Sequence, residues 1–307
     1  LCRDWSSDVC SSDLGPFGTL QVSAGGQTED KHVFAAGALV ATQDLISGKP
    51  AWLPSYSSVI HQSRLVGDRI CGRKVAERTG LGTMYLKLHG LDAGSVGCDE
   101  NELLALRIAC SRTYMIVPGK DGQPFLMVKI LWSSQNRRLL GAQLVSSAPV
   151  ADKLTTLALA IQAKQSVDDL AKADLPGCST RPGRRNWLIQ AGMMAQNQLD
   201  GLVRDFSIYD LSALDTSKAT LVDVRSREDY LKGSIPGAIN LPLPDLTATL
   251  NEGAINILPE KPVYVFSDTG RQGYLAARQL MLAGRTDVYN LAGGYWLYSR
   301  AIGRAAV

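Results

Sequence analysis

The stretch VYVFSDTGRQGYLAARQLMLAG, residues 263–284, decides the fold of the C-terminal third of the chain. An apolar run too short for a helix ends at Phe266 and reads as a buried strand. The loop SDTGRQG follows, and helical spacing of apolar residues begins near Gly273. A loop of this kind points several backbone N–H groups at one spot above a helix N-terminus, where they can hold an anion or lower the pKa of a thiol. Working outward, TLVDV at 220–224 and DVYNL at 287–291 are further short apolar strands, with helical patterns at 226–232, about 244–251 and 273–283. Strands alternating with helices predict a parallel sheet covered on both faces, a small α/β domain beyond Phe206.

Upstream the rhythm differs. TMYLKLHG (83–90), RTYMIVPG (112–119), FLMVKILW (125–132) and LLGAQLVSS (139–147) are β-rich segments joined by turns such as GKDGQP. Their hairpin order predicts a mostly antiparallel sheet. Helices are expected at 151–164, 166–173 and 186–201, the second opened by a capping-box pattern from Ser166 to Asp169. A sheet followed by helices makes an α+β domain over about residues 76–204. Before it, 18–24 and 33–41 read as short strands or buried segments and 56–71 as a helix, too little for a domain.

Composition sets outer bounds. The 307 residues suffice for about two domains, and 45% hydrophobic with 20% charged residues is ordinary globular composition. A formal net charge of +3 marks no nucleic-acid or membrane partner. Cys71, Cys98, Cys110 and Cys178 are widely spaced without CxxC, and the three histidines are scattered. That pattern argues against zinc or a disulfide framework and fits a reducing, cytoplasmic compartment. No apolar run is long enough to span a membrane.

The segment LVDVRSREDYLKGSIPGAINLPL, the strand and loop above, and VYNLAGGYWLY together resemble a rhodanese domain over about residues 206–300. The family's Asp-Val-Arg falls on Asp223, Val224 and Arg225, its Ile-Pro-Gly-Ala on Ile235 to Ala238, and its Gly-Gly on Gly293 and Gly294. In active members the first loop residue is a cysteine that carries a persulfide; here it is Ser267, followed by Asp268, Thr269, Gly270, Arg271, Gln272 and Gly273. A hydroxyl cannot form a persulfide, and its pKa is too high for a loop to ionise it as it would a thiol. No thiosulfate sulfurtransferase activity is expected. The histidine often found before Ile-Pro-Gly is replaced by Ser234, and Asp223 and Arg225 are expected to hold the fold. Gly270, Arg271 and Gly273 leave open a weak affinity for sulfate, phosphate or a persulfidic thiol, which Asp268 opposes; the plainer alternative is a loop that only caps its helix.

The stretch HVFAAGALVATQDLISGKPAWLPSYSSVIHQSRLVGDRICGR resembles the end of the flavin domain of FAD-dependent pyridine nucleotide-disulfide oxidoreductases. Residues 83–204 resemble that family's dimerisation domain, with DKLTTLALAIQAKQSVDDLAKADL among the matching pieces. Joined to a rhodanese domain, the layout resembles a coenzyme A-disulfide reductase or NADH oxidase-like enzyme. The resemblance implies FAD and NAD(P)H as cofactors of the intact parent, a homodimer, and sulfur-containing small molecules or thiols as reaction partners. Three departures stand out. No G-x-G-x-x-G follows a strand and no N-terminal redox cysteine is present, so this chain is expected to hold no cofactor and transfer no hydride. The family's FAD-contacting Ala-Gly-Asp reads Ala36, Gly37, Ala38. The loop DLPGCSTRPGRRN lacks the family's Tyr-Ala-Pro-Pro but offers Cys178 near Arg181, Arg184 and Arg185, either a low-pKa thiolate or an incidental surface cysteine.

Residues 1–14 resemble a translated short-read sequencing adapter and are read as an artefact, which implies a parent gene cut upstream. The expected layout is artefact 1–14, flavin-domain remnant 15–75, α+β dimerisation domain 76–204 and rhodanese-like domain 205–307. The expected function is that of the C-terminal fragment of a flavin-dependent NAD(P)H disulfide, polysulfide or persulfide reductase-like protein. The alternative is a non-catalytic dimeric scaffold or sulfur-species sensor. Residues 15–75 are expected to expose apolar surface.

Overall fold

The computed structural model describes residues 14–74, 79–117, 119, 125–177, 186–215, 217–252 and 261–301. The adapter-like residues 1–13 and the loop 178–185, with Cys178 and its arginines, lie outside the described residues. The chain divides into two compact units, Leu1–Cys110 with Leu131–Leu144 and Pro149–Gln165, and Ser111–Ile130 with Val145–Ala148 and Ser166–Val307.

The segments 18–24 and 33–41, read as short strands or buried segments, make only single bridges such as Leu20 to Val40 beside 3₁₀ turns at Pro16–Gly18 and Gly37–Leu39, and bury Thr19, Ala35 and Val40; Gly37 turns the second segment left-handed (φ 84°). A small sheet follows, from β1 (Thr42–Asp44), β2 (Pro50–Ala51) and, after α1 (Tyr56–Ile70), β3 (Thr79–Gly80). Its order is β2-β1-β3, with β1 antiparallel to β2 and parallel to β3. Ser55 caps α1, its hydroxyl accepting from Ser58 N at 3.2 Å.

A second sheet comprises β4 (Met84–Leu88), β5 (Leu91–Gly97) and, after α2 (Glu100–Ala105), β6 (Cys110–Val117), β7 (Leu126–Ser133) and β8 (Leu139–Ser146). The order is β4-β5-β8-β7-β6, and the β4–β5 hairpin is antiparallel. β5 and α2 have no counterpart among the sequence expectations: LDAGSVG carries little apolar periodicity, and α2 owes its start to an Asp99–Glu102 capping box. Three helices follow, α3 (Ala151–Gln162), α4 (Val167–Lys172) and α5 (Trp187–Leu199), close to the expected spans. The Ser166–Asp169 box is present, with Ser166 N donating to Asp169 at 2.8 Å and Asp169 N to Ser166 Oγ at 3.2 Å.

The last part runs β9 (Asp205–Phe206), α6 (Ile208–Ser212), β10 (Thr220–Asp223), α7 (Arg227–Leu231), β11 (Ile239–Asn240), α8 (Leu243–Asn251), β12 (Val263–Phe266), α9 (Arg271–Leu282), β13 (Val288–Leu291) and α10 (Gly294–Ala301). The five strands are all parallel, in the order β11-β10-β12-β13-β9. Period-two alternation splits their side chains between two cores. Val222, Val263, Val265 and Val288 pack with Leu246 of α8 and Ala276, Ala277 and Leu280 of α9. Leu221, Phe266, Leu291 and Phe206 face the other way, onto Ile208, Ile235 and the partly buried Tyr295 and Leu297. Each fully buried Val or Leu contributes about 1.5–3 kcal/mol, so the short strands are held chiefly by the helices on either side.

Candidate functional site

In a parallel sheet the loops beyond the strand C-termini gather at one end, and the residues of the rhodanese motifs lie on those loops. β10 delivers Asp223, 0% exposed, and Arg225, 6% exposed. Arg225 Nε donates to Asp223 Oδ1 at 3.0 Å and Nη2 to Oδ2 at 2.6 Å, a bidentate pair. The same Nη2 donates to Gly233 O at 2.7 Å, and the guanidinium lies 4.0 Å from the centre of the Tyr295 ring. Ser234, at the family's histidine position, donates its hydroxyl to Asp223 Oδ2 at 2.7 Å. With its partners supplied, the buried charge pair locks the 225–235 turn to the start of α10 and acts on the fold.

The next strand, β12, ends in the Ser267 loop. Ser267 is 1% exposed, and its Oγ accepts from Gly270 N–H at 3.1 Å. Gly270 caps α9 in a left-handed conformation, and the helix begins at Arg271, two residues earlier than the sequence pattern implies. The first amides of α9 have no intrahelical acceptor, which is the polarity an anion or thiolate at position 267 would use. Asp268, Arg271 and Gln272 are exposed while Gly273 is buried beneath them. From the other side, Tyr295 N–H donates to Ser267 O and Trp296 N–H to Asp268 O, each at 2.8 Å. Only glycine fits at 294: its φ is +60°, and a Cβ there would lie 2.3 Å from Ser267 O.

Below the loop runs a polar chain that sequence reasoning missed. Asn290 on β13 and Asp205 on β9 are register partners in the parallel ladder, with Asn290 Nδ2 donating to Asp205 Oδ1 at 2.9 Å. Gln198 of α5 donates to Asp205 Oδ2 at 2.7 Å and accepts from Thr113 Oγ1 of β6 at 2.6 Å. Asp205 as a residue is partly exposed, but burial of its carboxyl end pushes the pKa above the usual carboxylate value, against the pull of its Asn290 and Gln198 bonds. The signal lay in tertiary pairing across 85 residues, to which local periodicity is blind.

Gly37 and Ala38 belong to the other compact unit. Ala38 is exposed; its carbonyl accepts from Trp52 Nε1 at 3.0 Å, while Gly37 N–H donates to Gln62 Oε1 at 2.6 Å. These two backbone groups are thus satisfied within the chain, and residue 38 itself carries no carboxylate. At this turn the acceptor that contacts FAD in the family is absent. Cys98 is buried and its thiol is pushed up to about 12 by burial and then by Asp44, Glu102 and Asp99, so it is no thiolate near neutral pH. Cys71 is exposed at the end of α1. No described helix is long and apolar enough to cross a membrane, and no group of three metal-ligating side chains occurs among the described residues.

A five-stranded parallel sheet with its loop above the α9 N-terminus is the arrangement that the rhodanese resemblance implies. The rhodanese-like domain family matches residues 209–301. The thiosulfate:glutathione sulfurtransferase of Homo sapiens is 37% identical over 98 residues, 28% of this chain and 85% of that protein. The chain belongs to the rhodanese-like family through this domain. Taken whole, it is similar to pyridine nucleotide-disulfide oxidoreductases that carry such a domain. The crystal structure of reduced CoADR-RHD from Bacillus anthracis superposes with a TM-score of 0.85 at 26% identity, over 95% of this chain and 52% of that one. An NADH oxidase of Enterococcus faecalis is 27% identical over 169 residues, 53% of this chain. The chain spans about half the length of the solved relative, and the match covers 37% of the curated oxidase.

Proposed function

We propose that this polypeptide is the C-terminal part of a flavin-dependent NAD(P)H disulfide, polysulfide or persulfide reductase-like protein, and that its rhodanese-like domain is chemically silent. The observation that carries the second half is Ser267: the loop, its capping glycines and the Asp223–Arg225 lock are in place around a hydroxyl. The first half is supported by the likeness to rhodanese-bearing oxidoreductases about twice as long. It is also supported by the surface of residues 14–74, where Phe17, Leu39, Trp52, Tyr56 and Ile70 are more than half exposed and α1 buries no residue. A missing flavin-binding portion would cover such a surface. FAD and NAD(P)H are then the cofactors of the parent, this chain alone binds neither, and the parent works as a cytoplasmic homodimer. The domain divisions proposed are 15–75, 76–204 and 205–307.

A second reading is favoured by Ala38 and Ser267 together, since both positions have lost the group their family chemistry uses. In it the parent is a dimeric scaffold or sensor whose loop amides hold a sulfur oxyanion or persulfidic thiol without turnover. The upstream reading frame separates the two: dinucleotide-binding glycine loops and a redox cysteine support the reductase, and their absence supports the sensor. For the chain as it stands, oxidation of NADH in the presence of FAD and coenzyme A disulfide would overturn the inactive assignment.

A further inference from the structure

Among the described residues Asn290 Oδ1 is the buried side-chain oxygen or nitrogen without a hydrogen-bond partner. It lies directly under the Ser267 loop: a Cβ built on Gly273 would sit 2.3 Å from it, and one on Gly270 would sit 3.9 Å from Asn290 Nδ2. A buried unpaired acceptor costs about 1–3 kcal/mol, so its persistence calls for a reason. The other end of the same amide is committed to Asp205, a carboxyl group whose hydrogen-bond partners are two amides, from Asn290 and Gln198. On the neighbouring elements Arg112 of β6 is bound to Asp210 and Ser207, Arg204 to Thr286 O, Arg278 of α9 to Leu202 O, and Arg285 to Asp287 and Lys261 O.

The two amides that hold Asp205 are not equally free to respond. Gln198 is fixed at both ends, its oxygen by Thr113 and its nitrogen also by Arg112 O at 3.2 Å. Asn290 is held at one end only. An amide's two ends are nearly isosteric, so turning Asn290 over exchanges a donor for an acceptor with little change of shape.

We propose that Asp205 and Asn290 form a proton-linked switch beneath the Ser267 loop. With Asp205 ionised, Asn290 presents NH₂ to the carboxylate and its oxygen to the floor of the loop. When Asp205 takes up a proton, its O–H needs an acceptor; Asn290 turns over, its oxygen receives that hydrogen bond, and its NH₂ faces Gly270 and Gly273. The floor of the loop thereby loses a negative charge and an unpaired acceptor and gains a donor, all of which favour an anion above it. Burial of the Asp205 carboxyl group places this change above the ordinary aspartate range. As a consequence, and resting on the sensor reading of the loop, uptake of a small sulfur oxyanion is coupled to uptake of a proton.

The test follows the full chain by NMR between pH 4 and 8. The Asn290 side-chain NH₂ and the Gly270 and Gly273 amides are expected to titrate together in the parent. They are expected to be pH-invariant in Asp205→Asn, where an amide replaces the protonated acid, and the two glycines in Asn290→Leu. Absence of that titration in the folded parent, or its survival in Asp205→Asn, overturns the switch; the parent measurement stands even if a variant does not fold. Thiosulfate titrated at both pH extremes is expected to bind about five-fold more tightly at the acid end in the parent and equally at both in Asp205→Asn. Titrating amides without thiosulfate binding at either pH would support the switch while overturning the sensor reading.

Discussion

Replacing Arg225 by methionine is expected to destabilise the rhodanese-like domain by about 3–5 kcal/mol, the range for breaking a buried pair from one side. Asp223 is 0% exposed, and would keep only Ser234 Oγ at 2.7 Å and the residue-225 backbone N–H at 3.0 Å. Lost are the guanidinium bonds at 3.0 and 2.6 Å, the bond to Gly233 O at 2.7 Å and the stacking over Tyr295. Arg225→Lys restores charge without the two-pronged geometry and should lose less, about 1.5–3 kcal/mol. Combining Arg225→Met with Asp223→Asn removes the stranded charge and should recover part of the loss. Urea unfolding, with hydrogen exchange at Leu221 to Val224 as the local probe, reads all three. A loss below about 1 kcal/mol for Arg225→Met, or a double variant less stable than the single one, would show that the pair does not hold the fold.

Gly294→Ala forces a Cβ to 2.3 Å from Ser267 O at a φ of +60°, so a loss of at least about 2 kcal/mol is expected in the same unfolding assay. Iodoacetamide at mild alkaline pH should label exposed Cys71 and spare Cys98, whose thiol is pushed up to about 12, until the chain is unfolded; peptide mass mapping reads the difference. Ser166→Ala removes the α4 cap for about 1 kcal/mol, and because Ser166 bonds hold Asp169 below its ordinary pKa, that contribution is present at neutral pH and lost as pH falls through the folded value. Asp205 has the opposite sign. Its raised folded pKa makes its contribution greatest below the unfolded value of about 3.9 and lost as pH rises through the folded one, so Asp205→Asn should flatten the pH dependence of stability across that window.

The rhodanese-like third was legible because its signals are local. Val263 to Phe266, the loop and the α9 pattern are contiguous, and each strand has a helix-bearing stretch beside it. The Ser166 box was legible for the same reason. What escaped was non-local or weakly apolar. LDAGSVG forms β5 because β4 and β8 flank it, and the 33–41 run stays at single bridges where Gly37 turns the chain. At the site, Ser267, Asp223 and Gly294 were marked by motif, but Asp205, Asn290 and Gln198 carry no spacing that announces their contact.

If the rhodanese scaffold is intact but for its nucleophile, Ser267→Cys restores its chemistry. In that variant the thiolate is expected to take the outer sulfur of thiosulfate, releasing sulfite, and to pass it to cyanide as thiocyanate. The mass of the variant should rise by one sulfur atom after the first step, while the parent chain shows neither persulfide nor thiocyanate. Thiocyanate formation by the unaltered chain, or a folded Ser267→Cys protein that gains no sulfur, would show that the missing cysteine is not what silences the domain.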